Sequence, residues 1–121
     1  MTGSQMMRVL IVEDEPDALE LMQWWTEEQG WEVRIARSGQ AAVEMGKSFK
    51  PDLLITDYCL QDDVNGIDVI EQLRKQGSAA RCVLVTGLLG SALAEDVRRL
   101  EGVPILTKPF DFKRLGELLA R

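Results

Sequence analysis

Histidine is missing from all 121 residues of this sequence. Without an imidazole no Ser-His-Asp or Cys-His nucleophile can be assembled, the usual zinc spacings cannot be completed, and the chain cannot make a phosphohistidine of its own. Cysteine is nearly missing too. Cys59 and Cys82 are the only two, too few for a disulfide framework, and they read as free thiols in a reducing compartment. Basic residues are outnumbered, 14 against 20 acids, which gives a net charge of -6 and a pI near 4.7. Such a chain opposes a phosphate backbone, so no direct nucleic-acid binding is expected. No apolar run approaches the roughly 20 residues that a membrane-spanning helix needs, and "MTGSQMMR" lacks the apolar stretch of a secretory signal. No membrane span and a cytoplasmic location are therefore expected. Linkers, repeats and low-complexity tracts are absent as well. The length suits one domain over 8–121, with 1–7 an N-terminal extension or expression remnant.

What the chain does have is a five-fold alternation of short apolar runs with longer helical segments. "RVLIV" (8–12), "DLLIT" (52–56) and "CVLVT" (82–86) are near-continuous runs of Val, Ile and Leu, the pattern of strands covered on both faces. "WEVRIA" (31–36) alternates instead, and "VPIL" (103–106) contains Pro104, which cannot donate to a ladder. These two read as sheet edges. Three central and two edge strands suit an α/β fold of the flavodoxin-like doubly wound kind, a (βα)5 parallel sheet in the order 2-1-3-4-5. Pro16 suits the first turn of a helix that ends near Gly30, with Ala18, Leu19, Met22 and Trp25 along one face. Segments 39–48, 66–76, 91–100 and 111–120 are the other expected helices. The last has Asp111 as N-cap, and Phe112, Leu115, Leu118 and Leu119 face the core. Trp24, Trp25 and Trp31 read as packing and rim residues, since no basic stripe accompanies them.

In open α/β sheets ligands bind beyond the carboxyl ends of the strands, where the strand order reverses. Glu13 and Asp14 follow the first strand, Asp57 follows the third, Thr86 ends the fourth and Lys108 follows the fifth. Three carboxylates, a hydroxyl and an ammonium thus reach one rim. Carboxylates crowded together repel unless a cation lies between them, and an all-oxygen set favours a hard ion such as Mg²⁺. A free carboxylate nucleophile, a metal and a lysine are the parts that phosphoryl transfer requires. Read alone, Glu13 and Asp14 better suit the N-terminus of the following helix; combined with Asp57 and Lys108 they read as part of the site. Asp62 and Asp63 read as a solvated turn rather than as metal ligands.

From "RVLIVEDEPD" (8–17) through "PDLLITDYCL" (51–60) and "VLVTG" (83–87) to "TKPF" (107–110), the chain resembles the receiver domains of two-component response regulators. Four motifs in order at the expected strand ends carry the resemblance. It implies that Asp57 is the phosphoacceptor, taking a phosphoryl group from a phosphohistidine of a sensor histidine kinase or histidine phosphotransfer protein. It further implies that Asp14 and Asp57 ligate Mg²⁺ directly, Glu13 through a metal-bound water and Cys59 through its carbonyl. Thr86 would bind a phosphoryl oxygen and Lys108 would pair with the phosphoryl group, its bond to Pro109 commonly cis. The family also implies a conformational switch rather than an enzyme acting on other substrates, and a weak dimer through the fourth helix, fifth strand and fifth helix.

Two other functions compete with this one. An aspartyl-nucleophile phosphotransferase or phosphatase generally carries a second acid two residues beyond the nucleophile, where this chain has Cys59. A binding-only pseudo-receiver would not need the full set of acids, Thr and Lys. The chain also departs from the usual receiver pattern. The loop "QDDVNG" (61–66) lacks a common proline and is one residue longer, similar to receivers of hybrid sensor histidine kinases. Ile105 stands where many receivers carry a switching Tyr or Phe. Neither Cys59 nor Leu88 can orient a hydrolytic water, so slow loss of the phosphoryl group is expected.

Overall fold

In a computed structural model of the protein, the structure describes residues 6–87, 95, 97–100, 102–108 and 111–119. Strands β1 (Arg8–Val12), β2 (Glu32–Ala36), β3 (Leu53–Asp57), β4 (Arg81–Thr86) and β5 (Ile105–Thr107) form one sheet in the order β2-β1-β3-β4-β5, every pairing parallel. Helices α1 (Pro16–Glu28), α2 (Gly39–Phe49), α3 (Gly66–Lys75) and α4 (Phe112–Leu119) complete the described elements. Half of the expected helix at 91–100 lies outside the described residues, as do Leu88 and the Lys108–Pro109 bond.

Because successive side chains of a strand point to opposite faces, each continuous apolar run feeds two cores. Leu10, Val12, Leu54 and Leu84 pack with Ala42, Phe49, Ile67, Ile70 and Leu73 of α2 and α3. Val9, Ile11, Leu53, Ile55, Val83 and Val85 pack with Leu19 and Met22 of α1 and Leu115 and Leu118 of α4. The expected inner face of α1 therefore holds for Leu19 and Met22, and Thr26 joins them, its hydroxyl donating to the Met22 carbonyl at 2.8 Å. Trp25 closes the second core from the side, stacked on Phe112 at 5.5 Å and edge-on to Trp31 at 5.7 Å. Trp24 is exposed.

The fifth strand lies later in the chain than its apolar run suggests. Pro104 has no N–H for the ladder, but its carbonyl accepts the Leu84 N–H at 3.0 Å, and regular pairing begins at Ile105. Asp57, placed just beyond the third strand by its charge, is the last residue of β3 and pairs with Val85. Asp111 caps α4 as expected, its Oδ1 accepting the Lys113 N–H at 2.9 Å.

Candidate functional site

The run "EDEP" between β1 and α1 divides its acids among three tasks. Glu15 is the helix cap, with its carboxylate accepting the N–H groups of Asp17 at 3.2 Å and Ala18 at 2.7 Å. A helix start needs such acceptors for its unpaired amides. Glu15 fills that need and leaves Glu13 and Asp14 for other work. Glu13 turns inward and is fully buried; its Oε2 accepts the Asp14 and Glu15 amides at 3.1 and 3.2 Å. Asp14 lies half-buried at the rim.

Parallel pairing of β1 with β3, and of β3 with β4, sets the ends of these strands side by side. One carboxylate oxygen from each of Glu13, Asp14 and Asp57 lies within 4.8 Å of the others. Asp57 is 7% exposed, so its charge cannot rely on bulk water for compensation. Lys108 supplies part of it. The β5 register carries on past Thr107, where the Lys108 N–H donates to the Thr86 carbonyl at 2.8 Å, and from there Nζ reaches Asp57 Oδ2 at 2.8 Å and Glu13 Oε1 at 2.8 Å. Burial disfavours the ammonium, but its hydrogen bonds and charge interactions with Asp57 and Glu13 outweigh that, and the Lys108 pKa is raised. Burial pushes the Glu13 pKa up, with the Asp57 carboxylate adding to the effect and Lys108 opposing it.

The donor set fits a divalent cation. Three carboxylates face one ammonium, and all the side-chain ligand atoms are oxygen, the choice of a hard ion. Glu13 is fully buried, and the Lys108 ammonium 2.8 Å from its Oε1 is the positive charge the structure sets against it. Thr86 is buried at the end of β4. Cys59 is exposed two residues beyond Asp57; some desolvation and then the Asp57 charge push its thiol pKa up. Thus Glu13, Asp14, Asp57 and Lys108 come together, with Thr86 at the end of β4 and Cys59 in the loop that follows β3.

Asp62 is the residue whose place the sequence did not disclose. It is no free turn: Oδ1 accepts the Gly39 N–H at 3.0 Å and Oδ2 the Gln40 N–H at 2.9 Å, both at the start of α2. Burial pushes the Asp62 pKa up, but these two amides together with its own amide and that of Val64 outweigh it, and the pKa is lowered. No local signal could have found this contact, because its partners are 22 and 23 positions away.

Residues 9–120 match the family profile described as the response regulator receiver domain. The probable transcriptional regulatory protein TcrX of Mycobacterium tuberculosis is 30% identical over 97% of this chain and 51% of its own length. The alkaline phosphatase synthesis transcriptional regulatory protein PhoP of Bacillus subtilis is 31% identical over 85% of this chain and 42% of its own. The chain thus spans about half the length of the curated relatives it matches. Among solved structures, a response regulator receiver protein from Pseudomonas putida superposes with a TM-score of 0.85 at 28% identity, covering 98% of both chains. Chemotaxis protein CheY4 of Vibrio cholerae shares the fold, with a TM-score of 0.85 at 21% identity over 97% of this chain and 98% of its own.

Proposed function

The chain belongs to the family of response regulator receiver domains, and from that premise we propose that it is the phosphoacceptor module of a two-component phosphorelay, with Asp57 as the acceptor. The observation that carries this reading is the Lys108 ammonium held between Asp57 and Glu13 inside a cluster of three carboxylates. The phosphoryl donor is a phosphohistidine on a partner, either a sensor histidine kinase or a histidine phosphotransfer protein. The chain itself has no histidine.

Asp14, Asp57, Glu13 through a water and the Cys59 carbonyl are the groups that would hold Mg²⁺. When bound, the ion supplies positive charge to offset the phosphoryl oxygens. A carboxylate oxygen of Asp57 forms the new O–P bond as the P–N bond of the partner's phosphohistidine breaks, the electron pair returning to the imidazole. Lys108 lies at the Asp57 carboxylate before the reaction, so it can follow the negative charge onto the phosphoryl group without crossing the site. The Thr86 hydroxyl donates to a phosphoryl oxygen. Movement of Thr86 and Lys108 then passes to β5, which their backbones join. With Ile105 rather than an aromatic at that strand, loop and backbone shifts transmit the switch.

The test is incubation with acetyl phosphate and Mg²⁺ followed by intact-mass measurement. Wild type is expected to gain one phosphoryl group and Asp57→Asn none; a stable gain in Asp57→Asn equal to wild type removes Asp57 as the acceptor.

A further inference from the structure

The stretch between β3 and α3, residues 58–65, is fastened at both ends and in the middle. At its start the Tyr58 N–H donates to the Val85 carbonyl at 2.8 Å, and the Gly66 N–H returns to the Tyr58 carbonyl at 2.9 Å. At its close Asn65 and Asp68 exchange two bonds, of 2.9 and 3.1 Å, in a capping box that starts α3. Leu60 and Val64 pack against the core beneath α2 and α3.

Asp62 makes the middle fastening, and it reaches a different element. An aspartate that merely shaped its own turn would bond the backbone a residue or two away. Asp62 does bond its own amide and that of Val64, but it also takes the first two amides of α2, which lie outside its own turn, while Ser38 Oγ takes the third, that of Ala41, at 3.1 Å. The first free amides of that helix are satisfied, two of them by the loop. Gly39 makes the approach possible, since a Cβ there would run into the Val64 carbonyl and side chain. The Cys59 backbone lies between the Tyr58 bonds on one side and the Asp62 bonds on the other.

We propose that Asp62 is a positioning residue for the phosphoacceptor site: its two hydrogen bonds to the start of α2 fix the course of the 58–65 loop, and with it the place of the Cys59 carbonyl beside Asp57. The inference rests on the roles given above to Asp57 and Cys59. A residue that orients a metal ligand typically changes metal affinity when lost, without touching the ion itself.

The experiment compares Asp62→Ala with Ser38→Ala in the full 121-residue chain. Both remove acceptors from the same helix end, but only the first releases the loop. In metal-free protein, amide exchange at 59–61 is expected to rise about tenfold in Asp62→Ala, and the Mg²⁺ concentration for half-saturation, read by calorimetry, to rise about tenfold. Ser38→Ala should lower Tm yet leave both quantities within about twofold of wild type. Asp62→Asn, which keeps one acceptor oxygen, should fall between, and it serves as the measured variant if Asp62→Ala does not fold. The proposal is overturned if the Asp62 variants lower Tm while exchange and Mg²⁺ binding stay at wild-type values, or if Ser38→Ala changes both as much. If wild type itself takes up neither Mg²⁺ nor phosphoryl group, the function proposed above fails instead, and the exchange arm decides whether Asp62 fixes the loop.

Discussion

At Gly66 a single missing methyl decides whether α3 can start where it does. A Cβ on this residue would run into the Asp57 carbonyl and lie 2.9 Å from Leu84, although nothing about its backbone dihedral demands glycine. The requirement is one of space, because the helix begins directly against the end of the strand that carries Asp57. Gly66→Ala is expected to cost about 1–3 kcal/mol, the usual range for overpacking, and to slow phosphorylation because the strand end must yield. Urea unfolding measures the first and acetyl phosphate labelling the second; an unchanged labelling rate would show that the strain is absorbed on the helix side. That Glu13, Asp14, Asp57 and Lys108 meet at one rim was legible in the sequence, because charge at the end of an apolar run is a local signal. Glu15 as the cap and Thr26 as a buried hydroxyl were not, since each role is fixed by contacts that an apolar period does not mark.

At the scale of elements, the C-terminal helix is held at its end by a residue from another strand. The Arg81 guanidinium, at the start of β4, donates to the carbonyls of Leu118 at 2.9 Å and Leu119 at 3.0 Å. The last carbonyls of a helix lack partners within it, and a cation there also meets the negative end of the dipole. Arg81→Ala should lower stability by about 1 kcal/mol, with the increase in amide exchange concentrated in α4. A uniform increase over the whole sheet would argue against this local role. β5 shows why apolar runs misplace short edge strands. Pro104 cannot donate, so the ladder starts after it, although its carbonyl still pairs. Ile105, at 38% exposure, does not fill the core, which is consistent with backbone rather than side-chain transmission through this strand.

For the molecule as a whole, the acid cluster is a site of stored repulsion that the metal is expected to relieve. Burial raises the Glu13 pKa above its ordinary 4.5. A group whose folded pKa is raised contributes stability that is complete below its unfolded pKa and is lost as pH rises through the folded value. Metal-free protein is therefore expected to lose Tm as pH climbs from about 4.5 towards neutrality, and Mg²⁺ should raise Tm more at pH 7 than at pH 5, since binding to the folded state stabilises by mass action. Thermal melts of wild type and Glu13→Gln, with and without Mg²⁺, check this. A wild-type slope that Glu13→Gln does not flatten would place its source elsewhere.

The sequence by itself determined the alternation of elements, the strand order and the acidic rim. Those follow from hydrophobic period and from the cost of placing a charge at the end of a buried strand, both of which are local properties of the chain. Only the tertiary structure decided that Lys108 spans Asp57 and Glu13, that Gly66 must clear the Asp57 carbonyl, and that Asp62 holds the start of α2. Each of these joins residues brought together by strand register and helix packing, and neither composition nor spacing encodes which distant amide or carboxylate a side chain will meet.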